Sequence, residues 1–178
     1  WHKGIFIMAT NLEFIKSATG TSVTSLDVTD CFSADYDVYK VTIYNKEALS
    51  GAFNQNLRLL DSGGTVISAA EYDYAAWQHT SYSAFAEFKS TTATSFERAI
   101  GLGTSGADDG GGTVFYFFNP YDSLSYTFML CQNVNFYAGN GLVAYKYIGV
   151  HHSAETISGL QLYGTNFTTI TASVYGVK

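Results

Sequence analysis

The chain has 178 residues, enough for one domain with a genuine core, and only 13% of them are charged while 16% are aromatic. This balance excludes a disordered chain, and the net charge of −6 disfavours nucleic acid as a partner, because phosphate binding requires a basic surface. The abundance of Tyr, Phe, Thr and Val favours β-strands over exposed helices.

The first residues, WHKGIFIM, are apolar but too short to span a membrane, and they lack the long apolar segment and cleavage site of a signal peptide. Met8 and the residues after it are typical of a natural start. We therefore interpret residues 1–7 as a non-native leader or an N-terminal arm, and residues 8–178 as a single domain with no membrane partner. Mass spectrometry of natively expressed protein distinguishes the two interpretations of residues 1–7.

The first third of the chain predicts short strands separated by turns. Gly20-Thr21-Ser22 separates the first two strands, and Asp61-Ser62-Gly63-Gly64 is typical of a tight hairpin, because glycine adopts positive φ at no steric cost. The predicted strands are residues 12–15, 23–28, 39–43, 57–60 and 66–67.

The segment 71–88, EYDYAAWQHTSYSAFAEF, is ambiguous between a helical turn, an aromatic loop and a strand. We expect a loop over 72–77 and strands over 84–88 and 95–100. The glycine-rich stretch after them, GLGTSGADDGGGT, predicts an exposed loop.

Residues 114–118 are apolar at every position, which indicates a strand buried on both faces or stacked within an oligomer. Asn119-Pro120-Tyr121-Asp122 predicts a turn, and residues 126–131 its hairpin partner, so this pair is placed at the centre of the fold. Further strands are expected at 133–136 and 142–150 around the loop 138–141.

Near the C-terminus, apolar and polar residues alternate in 157–162 and again in 170–174, on either side of Gly164-Thr165-Asn166. This pattern predicts a β-hairpin that closes the fold. About ten short strands with glycine turns and almost no helix predict an all-β fold, a single jelly-roll-like antiparallel β-sandwich.

Several residues invite a chemical interpretation. Cys31 and Cys131 lie a hundred residues apart and are predicted to be buried apolar side chains, with a disulfide left open and zinc binding by two isolated thiols disfavoured. His151 and His152 precede Glu155, but adjacent residues on a strand point to opposite faces, so both histidines are expected to be ordinary surface or packed side chains.

No metal or cofactor is predicted. Asp108-Asp109 does not follow a calcium-loop spacing, and GLGTSG lacks the Gly-Lys-Ser/Thr ending of a phosphate loop. No nucleophile elbow is present, so we predict a protein that is not an enzyme, although a pair of carboxylates across a cleft is not excluded. The carboxylates weighed for such a pair are Asp35, Asp37, Glu71 and Asp73.

The aromatic residues Tyr72, Tyr74, Trp77, Tyr82 and Tyr121 have two interpretations, a core and subunit interface or a sugar-stacking face. We favour the first, because their flanking residues are also apolar. The candidate contact residues are Tyr72, Tyr74, Trp77 and Tyr121, and the loop 103–112 is expected to lie outside the contact.

Five segments form a pattern along nearly the whole chain: SADYDVYKVTI, LRLLDSGGTVI, EYDYA, FYFFNPYDSLSYTFM and ISGLQLYG with ASVYGVK. This pattern resembles a family of virion structural proteins of tailed phages, particularly marine ones, built as small β-sandwiches. The resemblance implies assembly on a virion and brings no catalytic residue, cofactor or metal ligand with it.

The function expected from this resemblance is a capsid decoration protein on the head exterior, since the chain is short and lacks repeats or a helical stalk. The alternative is a glycan-binding module associated with the tail or fibre, and a secreted host lectin is a third option. The expected partners are other virion proteins and further copies of the chain, as a trimer or, second, a dimer.

Overall fold

Antiparallel β-strands make up the fold in the computed structural model, which describes residues 11–48, 55–100, 110–137 and 141–178. These ranges contain ten strands and no helix, so the predicted all-β class is confirmed. They include no helix long and apolar enough to cross a membrane. The strands are β1 (Leu12–Val28), β2 (Val38–Ala48), β3 (Gln55–Asp61), β4 (Tyr72–Thr80), β5 (Ala86–Ala93), β6 (Phe96–Ile100), β7 (Gly110–Phe118), β8 (Thr127–Tyr137), β9 (Gly141–His151) and β10 (Ile157–Val177).

Hydrogen bonds join the strands in the order β5-β4-β9-β8-β7-β2-β10-β3-β6, with β1 along the other edge of β10. The second half of β10 pairs with β2 and its first half with β3. β10 therefore joins two groups of strands. The broad sheet consists of β5, β4, β9, β8, β7, β2, β10 and β1, and the small group consists of β3 and β6 beside the first half of β10. The order does not establish the connectivity of a jelly roll.

The small group packs over one face of the broad sheet through Phe96 of β6. Its ring is fully buried, 4.9 Å from the ring of Tyr72 on β4 and 6.4 Å from that of Tyr147 on β9. Gly149 lies beneath this ring, where an added Cβ would come within 2.6 Å of it. The core therefore lies between β6 and the inner face of β4, β8 and β9.

The predicted C-terminal hairpin is wrong, because β10 runs unbroken through Gly164, Thr165 and Asn166. β1 is likewise one strand through Gly20-Thr21-Ser22, with irregular pairing near Phe14 and near Val23. The two strands pair along nearly their whole length, from Leu12 opposite Val177 to Val28 opposite Leu160. This long-range pairing satisfies the backbone and overrides the local turn signals.

The loop expected over 72–77 is also wrong, because these residues open β4, which pairs with β9 on one side and β5 on the other. The strand expected at 84–88 lies instead at Ala86–Ala93. Gly110, Gly111 and Gly112, expected in an exposed loop, belong to β7, where β2 and β8 flank them. The rest of that loop, including Asp108 and Asp109, lies outside the described residues, as do residues 1–10 and 138–140.

Two predicted turns are confirmed. Gly64 adopts φ of +78°, and the Asp61 carboxylate accepts hydrogen bonds from the backbone N–H groups of Gly63 and Thr65 at 2.8 and 2.9 Å. The strand predicted at 66–67 is reduced to one isolated β-bridge, between Leu60 and Val66. Asn119, with φ of +55°, turns the chain from β7 to β8, and the predicted pairing of these strands is present.

Gly159 on β10 permits a close approach of two strands. A Cβ at this position would lie 2.3 Å from the backbone oxygen of Val28, which cannot move without shifting β1. We expect Gly159→Ala to lower the free energy of unfolding by about 3 kcal/mol, at the upper end of overpacking costs. Gly112→Ala is the control, because a Cβ there meets no described residue within 4 Å, and urea unfolding measures both variants. Equal stability of the two would contradict the packing described for Gly159.

Candidate functional site

Side chains alternate strictly along β8. Met129, Cys131 and Asn133 point into the core, while Phe128 and Leu130 point away from it and are each 46% exposed. The neighbouring strands repeat the pattern, so the side of the sheet turned away from β3 and β6 is largely apolar. We call this side the outer apolar face; it consists of Trp77, Tyr116, Phe128, Leu130, Val134, Phe136, Leu142 and Ile148.

These residues are adjacent across the strands. Leu130 lies opposite Ile148 on β9 and opposite Tyr116 on β7, and Ile148 lies opposite Ala75 on β4. Side chains opposite one another in antiparallel strands have Cβ atoms about 5 Å apart, so the row is continuous. From β4 to β7 the patch is about 14 Å wide, and its length along β8 is about 27 Å, or roughly 400 Å² in all. That area lies within the range of the largest apolar patch on a typical monomeric protein, and such patches are often functional.

A groove of about 440 Å³ crosses this face between β5 and β7, and its walls are almost entirely apolar. Phe118, Phe128, Leu130 and Ile148 line it, with Asp73 at one end. Charges lie mainly at the edge of the face, where Lys89 and Glu87 of β5 pair at 3.0 Å. An apolar centre with a polar rim is typical of protein interfaces.

The structure separates the four predicted contact residues. Trp77 is 47% exposed on the outer apolar face, and Tyr121 is exposed in the turn between β7 and β8. Tyr74 lies on the inner side of β4, half-buried and stacked on Tyr147, with a ring separation of 5.2 Å. Tyr72 is fully buried, so its place among the contact residues is wrong, because alternation along β4 turns it into the core.

The hydroxyl of Tyr72 joins two backbone groups in the core by hydrogen bonds. It donates a hydrogen bond to the carbonyl of Ile67 at 2.9 Å and accepts one from the backbone N–H of Leu59 at 3.1 Å. Tyr72→Phe leaves that buried N–H without an acceptor, so we expect a loss of about 1–3 kcal/mol in the free energy of unfolding. Tyr74→Phe removes the same group from an exposed hydrogen bond to Glu97 and should cost less than about 1 kcal/mol. Urea unfolding of both variants checks this, and a larger loss for Tyr74→Phe would contradict it.

A second candidate site lies at one end of the sheet, where β9 ends and β4 begins. His151 is fully buried, and its Nε2 lies 3.3 Å from Oε2 of Glu71 and 3.7 Å from Oε1 of Glu155. Neither ring nitrogen of His151 has a hydrogen bond within the described part of the chain. His152 points elsewhere, and its Nδ1 lies 3.1 Å from Oδ1 of Asp73. The prediction that the two histidines diverge is therefore confirmed.

Burial dominates the electrostatics of this cluster. It lowers the pKa of His151, and the nearby Glu71 carboxylate opposes that effect. Burial, and then the charge of Glu71, raises the pKa of Glu155. Sequence analysis identified His151 and Glu155 but treated Glu71 only as a scattered carboxylate. No local signal links Glu71 to the other two, because the pairing of β4 with β9 alone brings it there.

The two cysteines are free and buried, as expected for small apolar side chains. The thiol of Cys31 donates to the carbonyl of Val28, and that of Cys131 donates to the carbonyl of Ala99. Burial raises the pKa of Cys31 to about 12 and raises that of Cys131 as well. Neither thiol is therefore poised as a nucleophile, which requires a lowered pKa.

No family model and no curated protein matches the chain. Among solved structures, the chain is similar to the marine PL-14 alginate lyase from Aplysia kurodai, with 6% identity and a TM-score of 0.34 over 83% of this chain and 71% of that one. It is similar to the CspB protease of Clostridium perfringens, with 7% identity and a TM-score of 0.33, but spans only 26% of that chain's length. A double mutant of congerin II gives 11% identity and a TM-score of 0.22 over 83% and 99% of the two chains. Likenesses this distant carry no argument about function.

Proposed function

We propose that this protein is a non-enzymatic structural protein that assembles through its outer apolar face. The observation that carries the proposal is the continuous row of half-exposed side chains Tyr116, Leu130 and Ile148 across three adjacent strands. Burying apolar surface contributes about 25 cal/mol per Å², so such a face gains free energy when a second surface covers it.

We propose a second copy of the chain as the first occupant of this face. Two sheets pack face to face when their side chains interdigitate, and a pleated row of Phe, Leu, Ile and Val is suited to such packing. The patch of roughly 400 Å² is about half of the 800 Å² or so that each partner buries in a stable interface, so the proposed contact extends over the rim of the patch. Lys146 also lies on this face, and its long apolar stem can pack against the row while its ammonium group extends toward the rim.

We further propose that the assembly belongs to a phage virion, with the capsid exterior as the first location. This setting rests on the resemblance of the sequence segments to virion structural proteins. Immunogold labelling of particles from a phage carrying the gene tests it. Label over the head is the expected result, and particles without label would contradict the virion setting.

The alternative function is a glycan-binding module of the tail or fibre. The observation that favours it is Trp77, an exposed indole beside the paired Glu87 and Lys89, because sugars stack on aromatic faces flanked by polar groups. Label confined to the tail tip would favour this alternative. Glycan-array binding that is lost in Trp77→Ala but kept in Tyr82→Ala would then assign the binding to this residue.

A further inference from the structure

Glu71, His151 and Glu155 come together through the sheet rather than through the sequence. Glu71 directly precedes β4, His151 is the last residue of β9, and Glu155 lies in the segment that leads to β10. The backbone fixes the first two, because Tyr72 pairs with His151 and the N–H of His152 donates to the carbonyl of Glu71 at 2.9 Å. Strand pairing therefore holds two of the three side chains in place, and Glu155 meets them from the segment after β9.

Their separations match those of ligands around a metal ion. One ligand atom from each side chain can be chosen so that all three lie within 4.8 Å of one another. Nε2 of His151 lies 3.3 and 3.7 Å from the nearest oxygens of Glu71 and Glu155. Ligands at 2.0–2.2 Å from a tetrahedral zinc ion are about 3.4 Å apart, which lies between these two distances.

The buried imidazole is the second observation that points to a ligand. The side chain of His151 has no exposed surface, yet neither Nδ1 nor Nε2 makes a hydrogen bond within the described residues. The groups nearest to Nε2 are the two carboxylates, at 3.3 and 3.7 Å, and two like charges this close are stabilised by a cation between them and the imidazole. Among the described ion pairs, neither Glu71 nor Glu155 pairs with a lysine or an arginine.

We propose that Nε2 of His151 and one carboxylate oxygen each from Glu71 and Glu155 bind a divalent transition-metal ion of the zinc class. One imidazole with two carboxylates favours such an ion over calcium, which takes oxygen ligands only. The glutamate side chains are about one-third exposed, at 34% and 33%, which gives the ion a path from solvent and leaves a coordination position for water. The ion fastens the segment after β9 to the start of β4.

Isothermal titration of the full chain with zinc chloride, after dialysis against a chelator, tests the site. We expect one ion per chain with a Kd of about 10 µM or tighter. Zinc at 100 times its Kd should raise the Tm by about 5–10 °C, because it binds the folded state alone. In a crystal soaked with zinc, the anomalous difference peak should lie about 2.0–2.2 Å from the three ligand atoms.

Glu155→Gln is the decisive variant, because it keeps the size of a partly exposed side chain and removes only a charged ligand. It should weaken zinc binding at least 10-fold and remove most of the Tm shift, since even residues behind the ligands alter affinity by 10- to 100-fold. Asp73→Asn is the matched control, because it neutralises the neighbouring carboxylate beside His152 and should bind zinc like the original chain. Absence of zinc binding, equal binding by all three proteins, or loss confined to Asp73→Asn would each overturn the proposal.

Discussion

Replacing Leu130 and Ile148 together by lysine is expected to dissociate the assembled protein into monomers. These side chains lie opposite each other at the centre of the outer apolar face, half-exposed in the single chain. Two ammonium groups there lose hydration without gaining a partner when a second surface covers them, and burying such a charge costs several kcal/mol. We therefore expect the association constant to fall at least about 100-fold, while the fold of the chain is kept.

Sedimentation velocity over a dilution series measures this effect. The control is Thr21→Lys with Thr24→Lys, which adds the same two charges at exposed positions of β1, away from the face. The control should sediment like the original protein. An original chain that stays monomeric at high concentration, or a Leu130/Ile148 variant that keeps the original mass, would contradict the proposed assembly surface.

The second large effect is expected in the core. Phe96→Ala should lower the free energy of unfolding by about 3–5 kcal/mol, the usual cost of removing a fully buried phenylalanine. Its ring packs against Tyr72 and Tyr147 and covers Gly149, so its loss leaves a cavity between β6 and the broad sheet. The free energy of unfolding of a small domain is about 5–15 kcal/mol, so the expected loss is a substantial fraction of the total stability.

Urea unfolding measures the Phe96 variant against Phe85→Ala. Phe85 is 58% exposed and contacts only the ring edge of His79 among the described ring pairs, so its removal should cost less than about 1 kcal/mol. A loss below about 1 kcal/mol for Phe96→Ala would contradict the role of this residue in joining the two groups of strands.

The sequence predicted the all-β class and the β7–β8 pair because these depend on local signals. Alternation of apolar and polar residues, uninterrupted apolar runs, and the turn residues near Asp61 and Asn119 each determine the structure of only a few neighbouring residues. The prediction of a C-terminal hairpin was wrong because the structure of this segment depends on a distant strand. Glycine and asparagine at 164–166 permit a turn but do not require one, and β1 supplies a partner about 140 residues away that holds β10 straight.

The apolar run 114–118 was consistent with burial on both faces or with contact inside an oligomer. In the single chain, Phe115 and Phe117 are buried while Tyr116 is exposed, which excludes the first reading for the chain by itself. Hydrophobicity does not distinguish a core from an interface, because both bury the same chemical groups. The His151 site was missed for another reason, since Glu71 reaches it only through strand pairing.

Hydroxyl-radical footprinting of the assembled and the diluted protein tests the outer apolar face most directly, because it reports the solvent access of individual side chains. We expect Trp77, Tyr116 and Phe128 to be protected in the assembly and reactive in the monomer, while Phe85 reacts equally in both. Equal reactivity of Trp77, Tyr116 and Phe128 in the two states would contradict assembly through this face.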